Sequence, residues 1–283
     1  TITLENWYNR WLELYKINKV KETTLLDYRQ ILKNISSNLL QKEIGQIQIE
    51  DILETLNNIK SSRMKQKTYD LLNMIFNKAE ENDIIEKNIF YKIEKPKHTK
   101  DHGIALTHEQ SATLNKICKN IKYGDIFLIC LYQGFRRGEC LALTIDDIDY
   151  DNNTITINKA INHNNKLDTT KNKQSIRTVP MFKNTKNILL KYKESKKGSR
   201  IFNVTYNWLD IVKSKIIQQT KFDFDIKDLR STFITRCKEL NIPEHIIQSW
   251  VGHMIGSKVT SQVYTKHNSD ADIKYIDILN NSD

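Results

Sequence analysis

Leu131-Tyr-Gln-Gly-Phe-Arg-Arg-Gly-Glu-Cys-Leu-Ala-Leu-Thr-Ile-Asp-Asp-Ile-Asp149 joins the end of an apolar run to an acidic turn, with a break between them. Residues 126–131 are apolar without interruption, as in a buried helix. Gly134 supplies a position where positive φ carries no steric penalty. Helical spacing resumes over 137–143, and Leu141 and Leu143 lead into the turn at 146–151. Arg136 therefore falls on the bend between two buried helices. A guanidinium held there presents a rigid fork of donors that suits a phosphate. A solvated loop arginine fits this stretch equally well, so the rest of the chain has to decide.

The chain has 283 residues, enough for one large or two ordinary domains. Only 8 Gly and 3 Pro interrupt it, so long helices are expected to dominate. No apolar run approaches the length of a membrane span, and no signal-peptide start is present. Cys118, Cys130, Cys140 and Cys237 lie in mostly apolar stretches without Cys-x-x-Cys spacing, which reads as buried, reduced thiols of a cytoplasmic protein. The formal charge of +10 favours a polyanionic partner, and it is uneven. Up to Gly103 there are 17 basic and 15 acidic residues, and after it 27 and 19, so the excess lies in the half that carries Arg136.

Residues 1–93 read as a helical bundle. Trp7, Trp11, Leu12, Leu14 and Tyr15 form one apolar face, and Thr23-Thr24 is an N-cap candidate for the helix that follows. Ile49, Ile52, Leu53 and Leu56 mark a third helix, and 64–85 a fourth with Tyr69, Leu72, Ile75, Phe76 and Ala79 inward. Lys19, Lys21, Lys60, Arg63, Lys65 and Lys67 remain on outer faces, where they are either DNA-phosphate contacts or ordinary solvated charges. Residues 94–103 contain Pro96, Gly103 and no apolar side chain, and are read as a linker. His98, His102 and His108 near it have no cysteine and no settled helical face, so no metal is assigned to them.

Beyond the opening stretch, Thr154-Ile-Thr-Ile157 alternates like a strand and Ser175-Ile-Arg-Thr-Val-Pro180 returns as a second, with a polar loop between. Two helices, 185–195 and 206–219, flank a short strand at Ile201-Phe202. Three further segments complete the set: Thr169-Thr-Lys-Asn-Lys-Gln-Ser-Ile-Arg-Thr-Val-Pro180, Ile226-Lys-Asp-Leu-Arg-Ser-Thr-Phe233, and Val251-Gly-His253 with Val263-Tyr-Thr-Lys-His267. The carboxylates Asp146, Asp147, Asp149 and Asp151 belong to one local turn and read as capping groups, not as a two-metal site.

In this order, these segments resemble the boxes of the tyrosine recombinases, the phage-integrase family. Gly134, Arg136, Gly138, Glu139, Leu143, Asp147 and Ile148 fall in register with the family's first arginine box. Lys171 matches its hairpin lysine, with Lys173 as competitor, and Arg230 matches its second arginine. His253 and Tyr264 match its Leu-Gly-His and tyrosine elements. Two positions depart: Lys227 stands where the family has histidine, and Ser231 replaces the histidine after the second arginine. Lysine keeps a cationic donor but is a poor proton shuttle near neutrality.

The resemblance implies a mainly α, α+β fold with a small β-hairpin or sheet. A helical core-binding domain (1–93) and a linker (94–103) precede a catalytic domain (104–283). It also implies a site-specific DNA recombinase, similar to integrases of phages and conjugative elements of low-GC Gram-positive bacteria, acting through a 3′-phosphotyrosyl intermediate with no metal or cofactor. Tyr264 is the expected nucleophile, Lys171 the general acid, and Arg136, Arg230, His253 and Lys227 the phosphate ligands. Glu139 is expected to orient Arg136 or a neighbouring donor, and Lys173 and Arg177 to rest on DNA. Double-stranded recombination sites and a homo-tetramer on DNA are the implied partners. The helical tail 270–279 could pack in its own domain or, as in relatives, dock on a neighbouring copy, which is the preferred expectation. Relatives often carry an additional N-terminal arm-binding domain, so the sequence is expected to be the core-binding and catalytic portion. A type IB-like topoisomerase and a non-catalytic DNA-binding regulator are the alternatives.

Overall fold

In the computed structural model, which describes residues 2–98, 104–169, 176–252 and 270–282, the chain forms two compact units, 1–101 and 102–283. The first is helical. Thr3 caps α1 (Leu4–Tyr15), its hydroxyl accepting from the Asn6 N–H at 3.3 Å. The helix buries Leu4, Trp7, Tyr8, Trp11 and Leu12, while Leu14, expected on the same face, is 48 % exposed. The next helices are α2 (Glu22–Leu32), α3 (Ser37–Gln41) and α4 (Ile49–Asn58). Last comes α5 (Ser62–Glu81), capped by Ser61 and burying Tyr69, Leu71, Leu72, Ile75, Phe76 and Ala79. The Trp7 indole N–H donates to the Ile75 carbonyl at 3.0 Å, which ties α1 to α5 through a buried polar contact. The Thr23-Thr24 cap is corrected. Lys21 occupies the N-cap with no side-chain capping bond, and both threonines lie inside the first turn, behind Glu22. An acidic residue at that end is favoured by the helix dipole.

The second unit is built around α7 (Gly124–Gln133), whose residues 126–131 are all at most 5 % exposed. Apolar side chains on every face leave it no solvent side, so other elements must surround it. Around it lie α6 (His108–Cys118), α8 (Arg137–Ala142), α9 (Lys183–Leu189), α10 (Tyr206–Thr220) and α11 (Ile226–Glu239), and α12 (Glu244–Val251) packs on α11. A three-stranded antiparallel sheet has the order β1 (Ile148–Asp149), β2 (Thr154–Ile157), β5 (Arg177–Pro180), with Ile155 opposite Val179 and Ile157 opposite Arg177.

The stretch between β2 and β5 departs from the expected loop. It holds a second hairpin, β3 (Lys159–Ile161) paired with β4 (Leu167–Thr169). Its anchors are tertiary: Lys159 is ion-paired with buried Asp147, and Ile161 is buried in the main core beside α8. The strand expected at Ile201-Phe202 is also absent. The Ile201 N–H donates to the Leu143 carbonyl, and a single bridge joins Thr144 to Arg200. The acidic turn does cap: Asp147 accepts from the Thr144 N–H, and Asp149 from the Asp151 and Asn152 N–H groups. The tail helix α13 (Asp270–Asn280) buries Leu279 beside Phe182, Phe233 and Trp250 of its own unit. Among the described residues, no helix is long and apolar enough to cross a membrane.

Two glycines of the opening stretch are explained by this packing. Gly134 ends α7 at φ 67°, and a Cβ there would lie 2.5 Å from the Phe233 ring. At Gly138 a Cβ would meet the Ile161 carbonyl oxygen at 2.4 Å. Gly138→Ala should therefore destabilise the second unit by about 1–3 kcal/mol, since neither backbone yields cheaply. Gly45→Ala, which meets nothing within 4 Å, should leave the melting profile unchanged. Scanning calorimetry of the two variants checks the contrast.

Candidate active site

The bend after α7 places Arg136 at the N-cap of α8, where its own N–H donates to Glu139 Oε2 at 2.9 Å. The Arg136 guanidinium donates to Glu139 Oε1 at 2.8 Å and to the Gly252 carbonyl at 3.1 Å, and its side chain remains 44 % exposed. Arg230, buried on α11, donates to the Gly134 carbonyl at 2.8 Å and to the Val251 carbonyl at 2.6 Å. Arg177, on β5, donates from Nε to the Trp250 carbonyl at 3.0 Å. Its two terminal nitrogens grip both oxygens of Glu139, at 3.1 and 3.0 Å.

Three guanidinium groups from three separate segments thus meet three consecutive carbonyls, 250 to 252, at the C-terminal end of α12. Those carbonyls lack partners within the helix and carry its negative end, so cations are favoured there. Gly252 closes the helix at φ 68°, and a Cβ would come within 2.9 Å of an Arg177 nitrogen.

Among the described residues, Glu139 is the one carboxylate bonded to these arginines. Burial by itself raises its carboxyl. The hydrogen bonds and charge of Arg177, the charge of Arg136 and the Arg136 N–H outweigh that effect and hold it down at about 2. The positive charge is still in excess. Burial, and then the nearby Arg136 charge, bring Arg230 down to about 9, so it stays protonated at neutral pH but crowded. A cluster of this kind, partly open at Arg136, is suited to an anion with several oxygens.

Of the other residues expected here, Lys227 is exposed in the first turn of α11, one turn before Arg230. Lys171, Lys173, His253 and Tyr264 lie outside the described residues. Lys171 and Lys173 belong to the connection from β4 to β5, His253 follows Gly252, and Tyr264 lies between α12 and α13. Arg177 is a correction. Expected to rest on DNA, it is 8 % exposed and engaged with Glu139 and Trp250. Strand alternation carried that signal: Ile176 is exposed, while Arg177 shares the inward face with Val179. For the carbonyls of residues 250–252 the sequence offered only Gly252 as a helix-end signal, and nothing that named the arginines they meet. In the first unit, Lys19 donates to the Leu14 carbonyl and Lys67 pairs with Asp27, while Arg63 is exposed at the start of α5. Lys21 precedes α2, and Lys65 lies in the first turns of α5. His98 meets Ser62 and His108 meets Glu239; His102 is outside the described residues.

Comparisons with known proteins bear on this site. The phage integrase family model matches residues 105–270, and the model of a phage integrase N-terminal SAM-like domain matches residues 3–60. IntQ of Escherichia coli (strain K12), described as defective, is 26 % identical over 176 residues, covering 56 % of this chain and 44 % of that protein. The tyrosine recombinase XerA of Saccharolobus solfataricus is 29 % identical over 171 residues, covering 60 % and 54 %. The chain thus spans about half the length of the curated relatives it matches. Among solved structures, the integrase of the Tn1549 transposon in complex with circular intermediate DNA superposes with TM-score 0.74 at 18 % identity, covering 97 % of this chain and 98 % of that one. A lambda integrase tetramer bound to a Holliday junction gives TM-score 0.73 at 18 % identity, covering 91 % and 79 %. At such identities the likeness is one of fold.

The Glu139 carboxyl is depressed on folding, so its contribution is present above the ordinary carboxylate value of 4.5 and is lost as pH falls towards about 2. Glu139→Gln, which leaves buried Arg177 and half-exposed Arg136 without their counter-charge, should cost ~3 kcal/mol or more at pH 7. The difference between parent and variant should shrink as pH falls from 4.5 towards 2. Urea unfolding at a series of pH values measures this.

Proposed function

The chain belongs to the phage integrase family, and on that premise we propose that it is a site-specific DNA recombinase that cuts and rejoins strands through a 3′-phosphotyrosyl intermediate. The observation that carries the reading is the convergence of Arg136 and Arg230 on the C-terminal carbonyls of α12, next to His253 in the chain. Two fixed guanidiniums on the non-bridging oxygens of a phosphodiester stabilise the charge of the pentacoordinate transition state. They also favour phenolate nearby, which matters because a phenol with pKa near 10 is a weak nucleophile at pH 7.

In this mechanism Tyr264 gives its phenol proton to solvent water as its oxygen bonds to phosphorus and the bond to the 5′ oxygen breaks. Lys171 protonates the departing oxygen, and His253 and Lys227 hold the phosphate. One phosphodiester replaces another, so a free 5′-hydroxyl from a second strand reseals the break without ATP. Exchange between two duplexes uses four active sites, hence four copies on DNA, as the lambda integrase tetramer on its Holliday junction illustrates. Passing the tail between copies would require α13 to leave the apolar seat formed by Phe182, Phe233 and Trp250. The reaction serves integration and excision of a mobile element in the cytoplasm.

A site recovered from a randomised duplex pool by binding selection, then nicked beside the cleavage position, serves as a trapping substrate. The parent chain should form a covalent adduct, and Tyr264→Phe should form none while binding within about tenfold, because phosphate contacts dominate affinity. An adduct with Tyr264→Phe would remove it as nucleophile. A binder that never traps would be a regulator, and adducts without strand exchange between duplexes would indicate a topoisomerase.

The choice between the two hairpin lysines turns on the leaving group. Lys171→Ala should be severely slow on ordinary DNA and largely restored by a 5′-bridging phosphorothiolate, whose sulfur leaves without a proton. Lys173→Ala should show a mild, salt-sensitive defect of one lost phosphate contact. Rescue confined to Lys173→Ala would move the acid to that residue.

A further inference from the structure

Arg177 is a charged side chain placed where an apolar one would fit a strand's inward face. It alternates with buried Val179, and its neighbours Ile176 and Thr178 are exposed. A buried Arg–carboxylate pair is rarely the most stabilising occupant of such a position, since desolvation offsets much of the attraction. Its contacts suggest another use. The fork of Arg177 spans both oxygens of Glu139, which holds Arg136, and its plane centre lies 5.7 Å from the ring of Phe135, the residue before Arg136. Its Nε holds the Trp250 carbonyl, and a Cβ at Gly252, the residue before His253, would come within 2.9 Å of an Arg177 nitrogen. The strand that carries it leads directly out of the segment holding Lys171 and Lys173.

Resting on the recombinase reading above, we propose that Arg177 is a positioning residue for strand cleavage. It acts through Glu139 on Arg136 and through the Trp250 carbonyl on the turn that enters His253. It sets the spacing of these groups around the scissile phosphate without touching DNA. In its absence both oxygens of Glu139 are left to Arg136 alone and the end of α12 loses a donor. The arginine then points at the carboxylate more than at the phosphate. Misplacement on the scale of an ångström is enough to cost about a hundredfold in rate.

The test uses the full chain on the nicked trapping duplex, with Arg177→Lys and Arg177→Met. DNA affinity is measured separately from single-turnover adduct formation in saturating protein. The expected result is cleavage slowed by about a hundredfold in Arg177→Met with affinity within about threefold of the parent, and partial recovery in Arg177→Lys. Positioning through Arg136 also makes the losses non-additive: in an Arg136→Lys chain, adding Arg177→Lys should slow cleavage by less than about threefold. Parent-like cleavage in both single variants, or fully additive losses, would overturn the role of Arg177 and leave the recombinase reading standing. Loss of affinity in proportion to cleavage would make Arg177 a DNA contact instead. If Arg177→Met does not melt cooperatively, Arg177→Lys decides, and failure of both to fold would make the residue one of stability alone. A parent chain that never forms an adduct would overturn the recombinase reading and the positioning role together.

Discussion

The C-terminal end of α12 is held by arginines. Trp250, Val251 and Gly252 offer carbonyls that helical geometry leaves without partners, and Arg177, Arg230 and Arg136 each supply a donor to one of them. Because β5, α11 and the α7–α8 bend each contribute one of these residues, their relative positions are set by a few hydrogen bonds at one point. Glu139 binds two of the three arginines and lowers the repulsion among them. If the carbonyl row shifted, all three cations would lose a partner together. Placement of the candidate site and integrity of the second unit thus depend on the same contacts.

The charge balance of this cluster gives it a direction. Among the described residues, one carboxylate and a row of partial charges face three guanidiniums, and Arg230 is lowered first by burial and then by the Arg136 charge. Arg136, the most exposed of the three, is where that excess meets solvent. An approaching phosphodiester would find donors already oriented and incompletely satisfied, so little reorganisation is needed when it binds. The uneven distribution of basic residues along the chain supplies long-range attraction to the same half.

Several local features were legible because they depend on neighbours in sequence. The unbroken apolar run at 126–131 demanded a helix with no solvent face, and Gly134 demanded the break after it. The positions of α4, α5 and α10, and the pairing of β2 with β5, follow from periodicity in the same way. Where the sequence reading failed, a distant partner was responsible. Polar residues 159–169 form a hairpin because Asp147 accepts Lys159 and the core accepts Ile161. Thr23 and Thr24 resemble caps, yet the helix begins before them.

The sequence by itself determined the helical character of both units, the bend that carries Arg136, and the ordered set of boxes that identifies the family. These are properties of spacing, and spacing survives without coordinates. Only the tertiary structure decided that Arg177 shares Glu139 with Arg136, that Gly138 yields room to the Ile161 carbonyl, and that residues 250–252 present their carbonyls to arginines. The physical reason is that backbone carbonyls are the same in every residue. Their availability depends on where a helix ends, which Gly252 signals, and on which side chains meet it there, which nothing in the letters at 250–252 records.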